Sequence, residues 1–189
     1  MDTVLGAFVA CLLAEIGDRS QLSVILLCLH FLGREGRILS AAAMAALVST
    51  GIGAAGGVLV HDLVPFRGLT LMAALALLSA GIGSLARPKT PKLAFSPRLG
   101  AFGASLGVLL AAGIGDKTQF LAFALSARGD APVLATIGAS AGVIVAAVPA
   151  AALGRGFVTI LPLRAVRIGI GVVLIMAGAG FALDALGLL

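Results

Sequence analysis

AEIGDRSQL, residues 14–22, sets Glu15, Asp18 and Arg19 inside a run otherwise built from Leu, Val, Ala and Ile. A charged side chain at the centre of a membrane helix costs about 2.5–3.5 kcal/mol on the insertion scale, so charges there must pair, reach water or do chemistry. The stretch has a counterpart. EIGDRSQL at 15–22 matches GIGDKTQF at 113–120 with an offset of 98, and LVPFR at 63–67 matches ILPLR at 160–164 with an offset of 97. A near-constant offset of about half the chain is the signature of a duplicated unit.

Composition sets the class in which this duplication operates. Of 189 residues 60% are hydrophobic and 11% charged, with a mean hydropathy of +1.18, which predicts an integral membrane protein. The 21 Lys, Arg, Asp and Glu residues cannot clothe a soluble surface. The 26 glycines fit helices that pack closely in lipid. A pI of about 10.3 reflects basic loops rather than an aromatic-laced basic patch, so no nucleic-acid partner is expected. Cys11 and Cys28 read as small apolar packers, and His30 and His61 as interfacial residues. The first apolar run lacks a basic leader and carries charges, so no cleavable signal is expected.

Measured against a span of roughly 20 residues, the apolar runs give six segments, at about 3–32, 38–60, 68–86, 99–127, 131–154 and 165–187. They predict an all-α fold of six transmembrane helices. The first and fourth are too long to cross straight, and each has a glycine beside its charges, Gly17 and Gly115, where a kink or break is expected. Three spans per unit would orient the two copies oppositely, giving two inverted three-helix repeats, 1–86 and 99–189, joined by a basic linker at 87–98. Arg34, Arg37, Arg87, Lys89, Lys92, Arg98, Arg155, Arg164 and Arg167 fall on one side, against Arg67 and Arg128 on the other. The positive-inside rule then makes the linker cytoplasmic and turns both termini outward.

Five charges, Glu15, Asp18, Arg19, Asp116 and Lys117, lie deep in their segments, together about 15 kcal/mol before pairing or water relieves them. Adjacent helical residues do not face each other, so Asp18–Arg19 and Asp116–Lys117 pairs within one helix are disfavoured. Glu15, Asp18 and Gln21 follow at a spacing that shares a helix face. With Ser20, Thr118 and Gln119 and the carboxylate of Asp116 they form an oxygen-rich donor set suited to hard or borderline divalent ions such as Ca²⁺, Mn²⁺ or Mg²⁺. Metal and protons compete for the same carboxylate oxygens, which predicts exchange of one for the other. Arg19 and Lys117 would balance charge once the ion has left.

The paired E-x-G-D-[KR]-[ST] signatures, one per repeat around a basic loop, resemble the Golgi calcium and manganese exchanger family, in particular its short bacterial members, over essentially the whole chain. The resemblance implies a multi-pass antiporter of a bacterial inner (plasma) membrane. It would export Mn²⁺ or Ca²⁺ from the cytoplasm against protons, the ion being substrate rather than a permanently bound cofactor. By position Glu15 and Asp18 match the first motif and Asp116 the second. Where the family has a second Glu this chain has Gly113, which predicts weaker binding of divalent ions or fewer protons exchanged per ion. A homodimer in the lipid bilayer is compatible with this reading. The alternatives are an exporter of a small cationic solute such as a basic amino acid, and a non-transporting scaffold. No Ser/His/Asp set, zinc motif or phosphate-cradling loop points to an enzyme.

Overall fold

The computed structural model describes residues 2–86, 91, 99–129, 131–160 and 162–188. The elements among these residues are helices: α1 (Asp2–Glu15), α2 (Arg19–His30), α3 (Glu35–His61), α4 (Phe66–Leu85), α5 (Gly100–Gly113), α6 (Lys117–Arg128), α7 (Pro132–Leu153), α8 (Arg155–Ile160) and α9 (Leu163–Leu186). The linker expected at 87–98 lies outside the described residues apart from Pro91.

The two long segments do break, and at the expected glycines. Gly17 and Gly115 adopt φ of 74° and 75°, the left-handed region that only glycine enters without strain. Each break opens a helix with an Asp in the N-cap position, Asp18 before α2 and Asp116 before α6, in extended backbone. Corresponding elements keep the sequence offset: α1 and α2 begin and end 98 residues before α5 and α6, and α4 begins 97 before α9. The missing residue lies in the loop between the second and third helices of the unit, 31–34 in one copy and 129–131 in the other.

By length and composition α3, α4, α7 and α9 are long and apolar enough to cross a membrane, and α5 with α6, bent by 63° at their break, pass the same test together, which gives four spans, or five with the bent pair taken as one. The chain is therefore a multi-pass membrane protein. The sixth expected span needs α1 and α2 taken together, and their junction concentrates Glu15, Asp18 and Arg19 in one span, whereas the α5–α6 junction carries Asp116 and Lys117 alone.

Glycine and alanine set how closely these helices approach, because lipid offers no hydrophobic drive for their association. α1 runs along α7, where a methyl on Gly142 would meet the carbonyl of Phe8. α6 runs along α3 in the same manner, with the Gln119 carbonyl over Gly53 and the Phe123 carbonyl over Gly57. α4 and α9 cross antiparallel, Gly81 lying on Gly171 and Gly178 on Ala74. The resulting core divides in two. One cluster joins Cys11, Ala14, Ala73, Leu121, Ala139 and Leu174 across α1, α4, α6, α7 and α9; the other gathers Val24, Ile38, Leu109 and Ala150 around α2, α3, α5 and α7.

Two basic residues placed in loops by the charge count prove to be fold elements. Arg167 lies within α9, 9% exposed, with its methylene stem against Gly17 and Nη2 donating to the Ala86 carbonyl at the end of α4. Its long apolar stem is suited to this, since only the head needs polar partners. Arg128 ends α6 between the rings of Phe66 and Phe181, 5.3 and 4.7 Å from their centroids, with Nη2 4.0 Å from Asp184.

Candidate functional site

The two breaks meet. Lys117 and Thr118, which open α6, reach Asp18 and Glu15 at the α1–α2 break, so residues from both breaks face one small volume. A cavity of about 230 Å³ opens from it, lined by Glu15, Asp18, Arg19, Ser20, Gln21, Asp116 and Thr118 together with Ser49, Thr50 and Gly113.

Among the described residues Glu15 is the most deeply placed carboxylate, 3% exposed. It accepts hydrogen bonds from Ser20 Oγ, across its own break, and from Thr118 Oγ1 of the other motif at 2.8 Å. Thr118 Oγ1 also lies 2.7 Å from Asp116 Oδ2. A hydroxyl has a single proton to donate, so Thr118 satisfies one carboxylate as donor, and the second contact is complete only when that carboxylate brings a proton. The arrangement thus has a place for a proton shared among Glu15, Thr118 and Asp116.

Asp18 turns to the other copy, its Oδ1 3.1 Å from Lys117 Nζ, with the two side chains 14% and 12% exposed. The pairing disfavoured between sequence neighbours is thus replaced by one across the break. Arg19 is exposed on the cavity wall.

The two glutamines of the donor set play the same structural part in each copy. Gln21 Oε1 accepts from the Gly17 N–H at 2.8 Å, and Gln119 Oε1 from the Gly115 N–H at 2.6 Å. Gln21 Nε2 further donates to the Ala146 carbonyl at 2.5 Å. Both amides hold the breaks open by satisfying backbone that the helices have released.

Two residues of the cavity wall, Ser49 and Thr50, escaped the sequence reading. Ser49 Oγ donates to the Gly113 carbonyl at 2.8 Å, filling the side of the site where the second motif lacks a carboxylate. Beside it Ser140 and Thr50 hydroxyls lie 2.7 Å apart, and Thr50 donates to the Ala46 carbonyl, also at 2.7 Å. The signal was the Ser-Thr pair in the otherwise apolar stretch AALVSTGIG, residues 45–53. Among the described residues no three His, Cys, Asp or Glu side chains stand together as a metal-holding group. The carboxylates are instead spread over Ser20, Thr118 and Lys117.

A multi-pass helical membrane protein with carboxylates from two helix breaks converging on a cavity has the form of a secondary transporter. The family model for the divalent cation/proton antiporter GDT1 matches residues 3–91 and 101–187, and the chain belongs to that family. No curated relative and no solved structure matches it.

Proposed function

We propose that this chain exchanges Mn²⁺ or Ca²⁺ for protons at the junction of its two broken helices. Glu15, Asp18 and Asp116 serve as ligands, and the hydroxyls of Ser20 and Thr118 complete the oxygen set. The observation that carries the reading is the meeting of Glu15 from the first motif and Asp116 from the second on the single hydroxyl of Thr118. In that geometry a proton holds the two carboxylates together when no ion is bound. An entering divalent ion would replace the proton and draw in Asp18, releasing Lys117. Lys117 then acts as the resident countercharge of the ion-free site, Arg19 being its counterpart in the first motif. Gln21 and Gln119, whose oxygens sit on the Gly17 and Gly115 N–H groups, position the breaks and supply ligand oxygen only if those bonds open.

The constant offset of matching helices and the antiparallel α4–α9 crossing support two inverted three-helix repeats, with α1 and α2 as one broken span. In that crossing Gly81 touches Gly171 and Ala74 touches Gly178, and the offset of 97 relates each contact to the other. With Arg167 and Arg128 taken into the fold, the remaining basic residues of the loops and helix ends still favour the His30 face over the His61 face. On that basis the His30 face is cytoplasmic; that the ion leaves the cytoplasm against entering protons, across a bacterial plasma membrane, is carried over from the family resemblance.

The test is proton-coupled Mn²⁺ and Ca²⁺ flux in proteoliposomes, with Asp18→Asn beside the wild type. Cation-driven proton movement lost in the variant is the expected result. A wild type that moves no protons in response to either ion refutes the reading.

A further inference from the structure

The cavity is one-sided. From the breaks it runs toward the face where α2 ends and α5 begins, with Val24, Ala42, Ala45 and Leu109 in its walls. Carried through the repeat offsets, 98 for α2 and α5 and 97 for α3, these four positions become Ala122, Ala139, Gly142 and Cys11. The counterparts are not scattered. Cys11, Ala122 and Ala139 are 0% exposed and belong to one packed cluster, and Gly142 is buried where α7 meets Phe8 and Leu12 of α1. All four lie on the opposite side of the breaks, toward His61 and Arg128.

Such a set has a physical meaning. If each repeat can adopt the conformation now held by the other, the packing that opens on one side re-forms on the other, so the two states differ little in energy. The side that must open is lined by alanine, glycine and cysteine, small residues with little interdigitation to undo. The same mapping converts the Lys117–Asp18 ion pair into Arg19–Asp116, which gives the exposed Arg19 a partner.

We propose that Cys11, Ala122, Ala139 and Gly142 wall a second cavity that opens to the His61 face when the present one closes and admits the same divalent cation from that side. The proposal rests on the exchanger reading above. It places the Cys11 thiol four residues before Glu15 on the same face of α1, in the path of the ion.

The native cysteine makes the proposal testable without altering the protein. Wild-type protein in sealed vesicles of known orientation is treated with a membrane-impermeant cationic methanethiosulfonate from one face or the other, under proton gradients of either sign, and modification at Cys11 is read by mass spectrometry. The Leu109→Cys variant reports on the present cavity. Cys11 should be modified from the His61 face, with a rate that changes about tenfold on reversing the gradient, and Leu109→Cys should respond from the His30 face in the opposite sense. Cys11 unmodified from the His61 face under both gradients, while Mn²⁺/H⁺ exchange proceeds, overturns the second cavity and leaves the exchanger standing. Cys11 modified as expected in vesicles that show no exchange supports the cavity and overturns the exchanger reading.

Discussion

Residues 15–21 and 113–119 break their helices in the same way. Gly17 and Gly115 take the same left-handed turn, Gln21 and Gln119 cap it, and Asp18 and Asp116 open the following helix. They differ in what the first position brings: a buried Glu15 in one copy, and in the other Gly113, whose carbonyl is held by Ser49. The difference separates two functions of the motif. Gly, Asp and Gln build the break, which both copies have, while the first residue adds a buried carboxylate in one copy alone, the one proposed above as a ligand beside the two Asp. The surroundings differ too. Gly17 lies under the Arg167 stem, whereas a side chain on Gly115 would meet open space.

The strongest way to break this comparison is to remove the carboxylate that only one copy has. Glu15→Gln should bring Mn²⁺/H⁺ exchange to background in the proteoliposome assay, a loss beyond the roughly 10–100-fold seen for outer partners of metal sites; exchange near the wild-type rate would show that Glu15 is not a ligand. Lys117→Met comes next. It leaves Asp18 without its cation in a largely buried site, which should cost on the order of 3–5 kcal/mol of stability. Thermal unfolding in detergent measures this, and adding Asp18→Asn should recover part of the loss.

The glycines sharpen the comparison at the level of backbone. Gly115→Ala meets only the left-handed backbone penalty, about 1–2 kcal/mol. Gly17→Ala meets the same penalty and also drives a methyl to 2.6 Å from Arg167 Cδ, so its unfolding temperature should fall further. Equal shifts would show that the Arg167 stem yields freely. The smallest effect is expected from Gly113→Glu, which restores the symmetry of the motifs but brings Cβ to 3.1 Å from Ser49 Oγ. A modest, few-fold tightening of half-saturating Mn²⁺, about 1 kcal/mol or less, should appear in flux assays. No change in affinity or in protons moved per ion would show that the missing carboxylate is not limiting.

Much of this molecule was legible in one dimension. Hydropathy gave the helical membrane class, because a chain without enough polar residues to face water has to span lipid with its backbone satisfied internally. Gly17 and Gly115, set beside charges in overlong apolar runs, marked the breaks, since only glycine makes that turn without strain. The repeated motif marked the residues that converge, Glu15, Asp18, Asp116 and Thr118. What it could not show was the partner of each group. Asp18 chooses Lys117 over its neighbour Arg19, Gln21 and Gln119 turn to the backbone of their own breaks, and Arg167 leaves the loop count to pack on Gly17. Ser49 joins the site from α3. These are contacts between segments far apart in sequence, decided by which helices pack together and at what angle. Periodicity and composition carry the properties of each helix alone, whereas an ion pair or a cavity exists only once glycine and alanine have set the distances between them.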